Sequence, residues 1–153
     1  MSAVAVTSIK PQKFLNAGND ARRKNDLKEL QNALQSYYTD RKEFPCIGVA
    51  CSVEASGGID AVTALKPTYI STLPLDPKNG TSCPSYVYAV DLTKTGYTLF
   101  AKLEDDTDSS ALAAKPPPTV TLVCALSADS KTCTMSVGQA CPETVYNYWV
   151  NNP

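Results

Sequence analysis

Between Pro11 and Thr39 the only glycine is Gly18 and no proline follows Pro11, and this single run limits what the rest of the chain can build. Pro11 suits a first helical turn and Phe44-Pro45 stops continuation, so the spacing predicts one helix over 11–39. Leu27, Leu30, Leu34, Tyr37 and Tyr38 recur at three- and four-residue steps and form one apolar stripe. Projected backward, the stripe lands on Arg23, Asp20 and Asn16, which leaves the first half without an apolar face to bury. Such a helix is about 43 Å long, whereas a compact chain of this size is about 40 Å across. The polar half, Asn16 to Asp26, is therefore expected to overhang the body. Gly18 marks a soft spot costing about 1 kcal/mol relative to alanine. Asp20 with Lys24 and Arg22 with Asp26 are i to i+4 pairs suited to a solvated helix.

The remainder reads as short elements. A Cys- and Gly-containing loop runs through Gly58 and precedes a short helix candidate at Ile59 to Leu65. Pro67, Pro74 and Pro77 exclude a regular element between them. Tyr86–Val90 and Tyr97–Leu103 are β-rich runs joined by Asp91 to Gly96, a hairpin whose Tyr97, Leu99, Ala101 and Leu103 face the helix stripe. An acidic loop, Glu104 to Ser110, leads to the stiff connector Lys115 to Pro118. Thr119–Leu126 alternates, and Thr132–Val137 returns antiparallel to it. The aromatic tail Tyr146 to Val150 is expected to dock on the body. The predicted class is α+β: one domain over 1–153, with an N-terminal helix in 1–44 whose first half protrudes, a loop over 45–85, a hairpin over 86–104 and an extension over 105–153 with further strands.

Six cysteines (Cys46, Cys51, Cys83, Cys124, Cys133 and Cys141) occur with no histidine and no C-x-x-C pair, which favours disulfides over zinc and implies an exported protein. Loop closure makes Cys46 with Cys51, and Cys124 with Cys133, the cheapest pairs, although six cysteines allow 15 connectivities. With 43% hydrophobic and 19% charged residues the chain belongs among folded proteins, and its net charge of -1 steers no partner. The stretch up to Pro45 is mildly basic and the remainder mildly acidic.

Catalytic patterns are missing. There is no histidine to act as base, no Gly-x-Ser-x-Gly, no P-loop and no Gly-x-Gly-x-x-Gly, so an enzyme is not expected. Glu104, Asp105, Asp106 and Asp108 are the only carboxylate cluster. They read as a solvated loop, with calcium as the sharper alternative because that ion takes 6 to 8 oxygens. No cofactor is otherwise called for. Lys10, Lys13, Arg22, Arg23, Lys24 and Lys28 alternate with Asp20 and Asp26, which argues against nucleic acid. Tyr37 and Tyr38 read as packing residues, and Asn79-Gly80-Thr81 as a chance glycosylation triplet.

Ala21-Arg22-Arg23-Lys24-Asn25-Asp26-Leu27-Lys28-Glu29-Leu30-Gln31-Asn32-Ala33-Leu34-Gln35-Ser36-Tyr37-Tyr38 followed by Phe44-Pro45 resembles type IV pilins and the major pseudopilins of type II secretion, just after their membrane-embedded half-helix. Tyr69-Ile70, Leu73-Pro74, Asp76-Pro77 and then Tyr86-Val87-Tyr88 and Tyr97-Thr98-Leu99 are similar to the loop and first strands of that family, in the same order. The likeness covers roughly residues 3–104. The family's leader, Phe-Thr-Leu-Ile-Glu start and apolar half-helix do not appear in the sequence, and Ala3-Val4-Ala5-Val6 looks like the tail of a longer apolar segment, so a removed segment is expected.

The resemblance implies a pilin-like head with a disulfide-bearing C-terminal extension, a structural subunit of an extracellular cell-surface pilus (fimbrium) anchored in the inner membrane before assembly. It implies self-association into a helical filament, with the inner-membrane assembly machinery as partner and adhesion, twitching motility or DNA uptake as outcomes. The polar half-helix would line the junction between heads. The alternatives are a secretion pseudopilin, whose family binds calcium after the corresponding strands, a minor or tip pilin with an adhesive site in 105–153, and a secreted disulfide-bonded enzyme. Residues 105–153 are unlike the short end of a secretion pseudopilin, which favours the pilus.

Overall fold

The computed structural model describes residues 11–47, 55–59, 62–78, 86–91, 93–105, 108, 125–126, 133–135, 144–146 and 148–152. Side chains are described for these except in 55–58, 125–126, 133–135 and 144–146. Helix α1 spans Pro11–Arg41, two residues beyond the predicted end. It stops where Lys42 takes the left-handed conformation (φ 61) and its N–H donates to the Tyr38 carbonyl at 2.8 Å. Phe44 then folds back beneath the last turn: its N–H donates to the Lys94 carbonyl at 2.8 Å, and its ring stacks on Tyr38 with centroids 4.6 Å apart.

The main sheet is four-stranded and antiparallel, in the order β1-β2-β3-β7. Its strands are β1 (Ala55–Gly58), β2 (Val87–Val90), β3 (Tyr97–Ala101) and β7 (Tyr148–Asn151). The β2–β3 hairpin is as predicted, with Val90 opposite Tyr97. Its loop is held by Asp91, whose Oδ1 accepts from the Thr95 N–H and the Thr93 hydroxyl, both at 3.0 Å. The loop expected through Gly58 is corrected: Ala55-Ser56-Gly57-Gly58 forms an edge strand on β2. Nothing in that composition favours a strand, so the pairing comes from the partner rather than from local preference. The helix candidate at Ile59 to Leu65 is a 3-10 turn over Thr63–Leu65.

A second, three-stranded antiparallel sheet has the order β4-β5-β6, formed by Ala125–Leu126, Cys133–Met135 and Thr144–Tyr146. The predicted return of 132–137 onto 119–126 is present in β4 and β5, where Leu126 stands opposite Cys133. Docking of the aromatic tail takes a definite form: β7 pairs with β3, Phe100 opposite Trp149, and the Trp149 side chain is buried. The chain is thus α+β, one long N-terminal helix over a small antiparallel sheet.

The core lies between α1 and one face of the main sheet. Leu27, Leu30, Ala33 and Leu34 from the helix meet Tyr86, Tyr88, Val90, Tyr97, Leu99 and Ala101 from the strands, closed at one end by Phe44, Ile59, Val62, Leu65 and Ile70. Period-two alternation puts Tyr97, Leu99 and Ala101 on this face as expected. Tyr37 and Tyr38 are partly buried and pack against this cluster, Tyr37 edge-on to Tyr69 at 5.2 Å and Tyr38 stacked on Phe44.

Candidate functional site

The stripe that ends in leucine at position 27 does not end there. Continued backward it reaches Arg23 and Asp20, which are buried, at 3% and 2% exposure. The expected overhang of Asn16 to Asp26 is corrected: from Asn16 onward residues of this stretch are bonded to the molecule's own loops. The physical reason is that a charged face can be covered when the covering surface supplies matched charge and hydrogen bonds.

Arg23 is the centre. Its Nε donates to Asp76 Oδ2 at 2.6 Å and its Nη2 to Asp76 Oδ1 at 2.9 Å, a two-pronged pairing that fixes the guanidinium plane. Its Nη1 donates to Asp20 Oδ1 at 2.7 Å and to Glu104 Oε1 at 3.1 Å. Asp20 in turn caps the strand exit: its carboxylate accepts the Glu104 N–H at 2.9 and 3.1 Å and the Asp105 N–H at 2.9 Å. Lys78 Nζ donates to Glu104 Oε2 at 2.6 Å, and Asn19 donates to Glu104 Oε1 at 3.3 Å. One turn on, Lys24 donates to Asp108 Oδ2 at 2.7 Å, and Tyr86 donates its hydroxyl proton to Asp26 Oδ2 at 2.6 Å.

The electrostatics follow from this geometry. Burial works against the charge on Arg23, but its bonds to Asp76 and Asp20 and the nearby charges outweigh that and raise its pKa further. Burial would push Asp76 upward, yet the Arg23 guanidinium and the Lys78 N–H hold its carboxyl below the usual range. Glu104 is depressed against the same burial cost by Lys78, Arg23 and Asn19. Burial and the Asp26 carboxylate together push the Tyr86 phenol far up, so it stays a proton donor.

The pairs expected along the helix are rearranged in part. The expected Arg22 to Asp26 pair forms, at 3.9 Å with Arg22 well exposed, whereas Asp20 and Lys24 do not pair with each other: Asp20 takes Arg23 and Lys24 takes Asp108. Of the basic cluster, Lys13, Arg22 and Lys28 are exposed, Arg23 and Lys24 are engaged within the chain, and Lys10 lies outside the described residues. Of the calcium candidates, Glu104 and Asp108 are ion-paired with Arg23, Lys78 and Lys24, Asp105 donates its N–H to Asp20, and Asp106 lies outside the described residues. Among the described residues no group of three or more acidic or cysteine ligands is placed to hold a metal ion.

No family model, no curated protein and no solved structure matches this chain.

Cys46 is disulfide-bonded, and its partner's side chain lies outside the described ones. Cys51, Cys83, Cys124 and Cys141 lie outside the described residues, as does Asn79-Gly80-Thr81, and Cys133 is described by its backbone alone. Among the described residues no helix is long and apolar enough to cross a membrane. The part of α1 that stands clear of the body is Pro11 to Leu15, since the partly buried Asn16 amide already donates to Glu104 Oε2 at 2.7 Å. It carries two large apolar side chains in open solvent, Phe14 at 69% and Leu15 at 62% exposure.

Asp20, Arg23, Asp76 and Lys78 were not singled out as a site by sequence reasoning. The signal was present: charges of opposite sign fell on the projected stripe at three- and four-residue steps, the spacing of a covered face.

Proposed function

We propose that this chain is the head of a filament-forming subunit of the type IV pilin kind, a structural protein of an extracellular pilus rather than an enzyme. The carrying observation is the exposed pair Phe14 and Leu15 on a helix that is otherwise clamped to its own body. Large apolar side chains in open solvent at one end of a rigid rod suit burial against neighbouring copies. The contact between heads falls on the start of the helix, Pro11 to Leu15, and not on the polar stretch the resemblance implied, because that stretch is bonded within the molecule. Repetition of a heterologous contact whose rotation does not close extends into a helical filament.

The pilus is favoured over a secretion pseudopilus because Glu104 and Asp108 already hold cations from the chain, leaving those carboxylates committed where a calcium loop needs them free. The disulfide at Cys46 accords with an exported protein.

The test joins the chain to an apolar half-helix from a pilin, expresses it in a piliated host lacking its own major pilin, and images sheared filaments by electron microscopy. Filaments are expected from the parent, and none from the Phe14→Glu, Leu15→Glu double variant, whose isolated head should melt as the parent does. Filaments in equal number from the double variant would overturn the assigned contact. No filaments from the parent would count against the function itself.

A further inference from the structure

Strands β3 and β7 are neighbours in the sheet, Ala101 opposite Tyr148, although residues 102–147, with the second sheet among them, lie between the two in sequence. That excursion has two roots on the body. The returning root is β7, held by its ladder to β3 and by Gln31, whose amide donates to the Asn151 carbonyl at 3.0 Å. The departing root is Glu104, Asp105 and Asp108, and the bonds these residues make to α1 are polar: two backbone N–H groups on Asp20, one carboxylate on Arg23 and Asn19, another on Lys24. Lys24 touches both roots, since its ammonium also stands 5.9 Å from the centroid of the Tyr148 ring.

We propose that Asp20, Arg23 and Lys24 form a latch on the departing root of the C-terminal excursion. Closed, it holds Glu104, Asp105 and Asp108 on the helix. Open, it frees them from the helix while the sheet and the leucine core stay formed. The division is physical: Asp20, Arg23 and Lys24 hold the root by charge-assisted hydrogen bonds, of which Lys24 with Asp108 at the partly exposed edge is open to replacement by water, whereas Leu27, Leu30 and Leu34 are held by apolar burial. The charged and titratable groups around the latch are Arg22 and Asp26 on the helix, Asp76 and Lys78 on the adjoining loop, Tyr86 before β2, Glu104, Asp105 and Asp108 on the root, and Tyr148 on β7. The proposal concerns the isolated head and does not depend on filament formation.

Amide exchange and limited proteolysis of the full chain test it, with Asp20→Asn, Lys24→Asp, Asp108→Lys and the Lys24→Asp, Asp108→Lys pair. Opening the latch should raise exchange at the Glu104 and Asp105 amides roughly tenfold or more and speed cleavage in the stretch after 108 severalfold. Exchange at Leu30 and Leu99 should match the parent. The reciprocal pair should recover most of the protection that each of its single variants loses. Unchanged exchange at 104–105 in every single variant would overturn the latch. So would an equal rise at Leu30 and Leu99 in the Lys24 variant, because the contacts would then serve overall stability alone.

Discussion

Helix α1 is two structures in one rod. From Leu27 to Leu34 it meets the sheet with leucines that are fully buried, and from Asn19 to Lys24 it meets the loops with two charges, Asp20 and Arg23, that are buried almost as completely. The first half-rod gains from removing apolar area from water, roughly 1.5–3 kcal/mol for each fully buried leucine. The second gains much less per residue, since every bond it makes replaces one to water, but it is far less tolerant of losing a partner. Burial alone therefore does not identify a core; what the buried groups would be left with after a substitution does.

The largest effect expected from this difference is at Arg23. Arg23→Ala leaves Asp20, Asp76 and Glu104 facing one another without their shared cation, and should cost about 3–5 kcal/mol in chemical denaturation. Leu30→Ala, which leaves only a cavity, should cost about 2–5 kcal/mol. Arg23→Lys keeps the charge but loses the paired geometry on Asp76, and should fall between Arg23→Ala and the parent. A cost below about 1 kcal/mol for Arg23→Ala would place the network with ordinary surface ion pairs and erase the contrast.

Much of this architecture was legible beforehand. The helix, the hairpin, the antiparallel return of β5 on β4 and the docked tail all carry local periodicity, and periodicity reports which face is covered. The failures share a cause. Ala55-Ser56-Gly57-Gly58 has no strand preference of its own, and its role is set by β2 beside it. Arg23 looked solvated because its partners, Asp76 and Glu104, lie more than fifty residues away in sequence, so no window along the chain brings them together. The rule that charges lie outside was applied one residue at a time, whereas the structure satisfies them as a set.

Acid offers a second way to separate the halves. Asp76 and Glu104 are both depressed in the folded chain, so their contribution to stability is complete above their unfolded values, about 4, and is lost as pH falls through the lower folded ones. The melting temperature should hold level from neutral pH to about 5 and drop below about 4. Leu30→Ala should shift that curve downward without changing its shape. Arg23→Gln should flatten part of its acid limb, because the cation paired with Asp76 is gone while Lys78, the larger influence on Glu104, remains. An unchanged acid limb in Arg23→Gln would mean that other groups set the acid response and that Arg23 does not govern the polar half.

The smallest effect probes where the polar half ends. Gly18 lies between the exposed turns bearing Phe14 and Leu15 and the clamped residues from Asn19 onward, and a methyl group added there would meet nothing within 4 Å. Alanine at a helical position with open space around it should stabilise by about 0.4–1 kcal/mol, chiefly by restricting the unfolded chain. That gain appears in global unfolding only if the turn around Gly18 melts together with the core. If Pro11 to Gly18 frays independently, Gly18→Ala will raise helix content by circular dichroism while leaving the denaturation midpoint where it was. The first outcome extends the cooperative unit past the network toward Phe14. The second places the start of the cooperative body after Gly18, and leaves the two exposed apolar residues on a turn that, in the proposed filament, neighbouring copies would order.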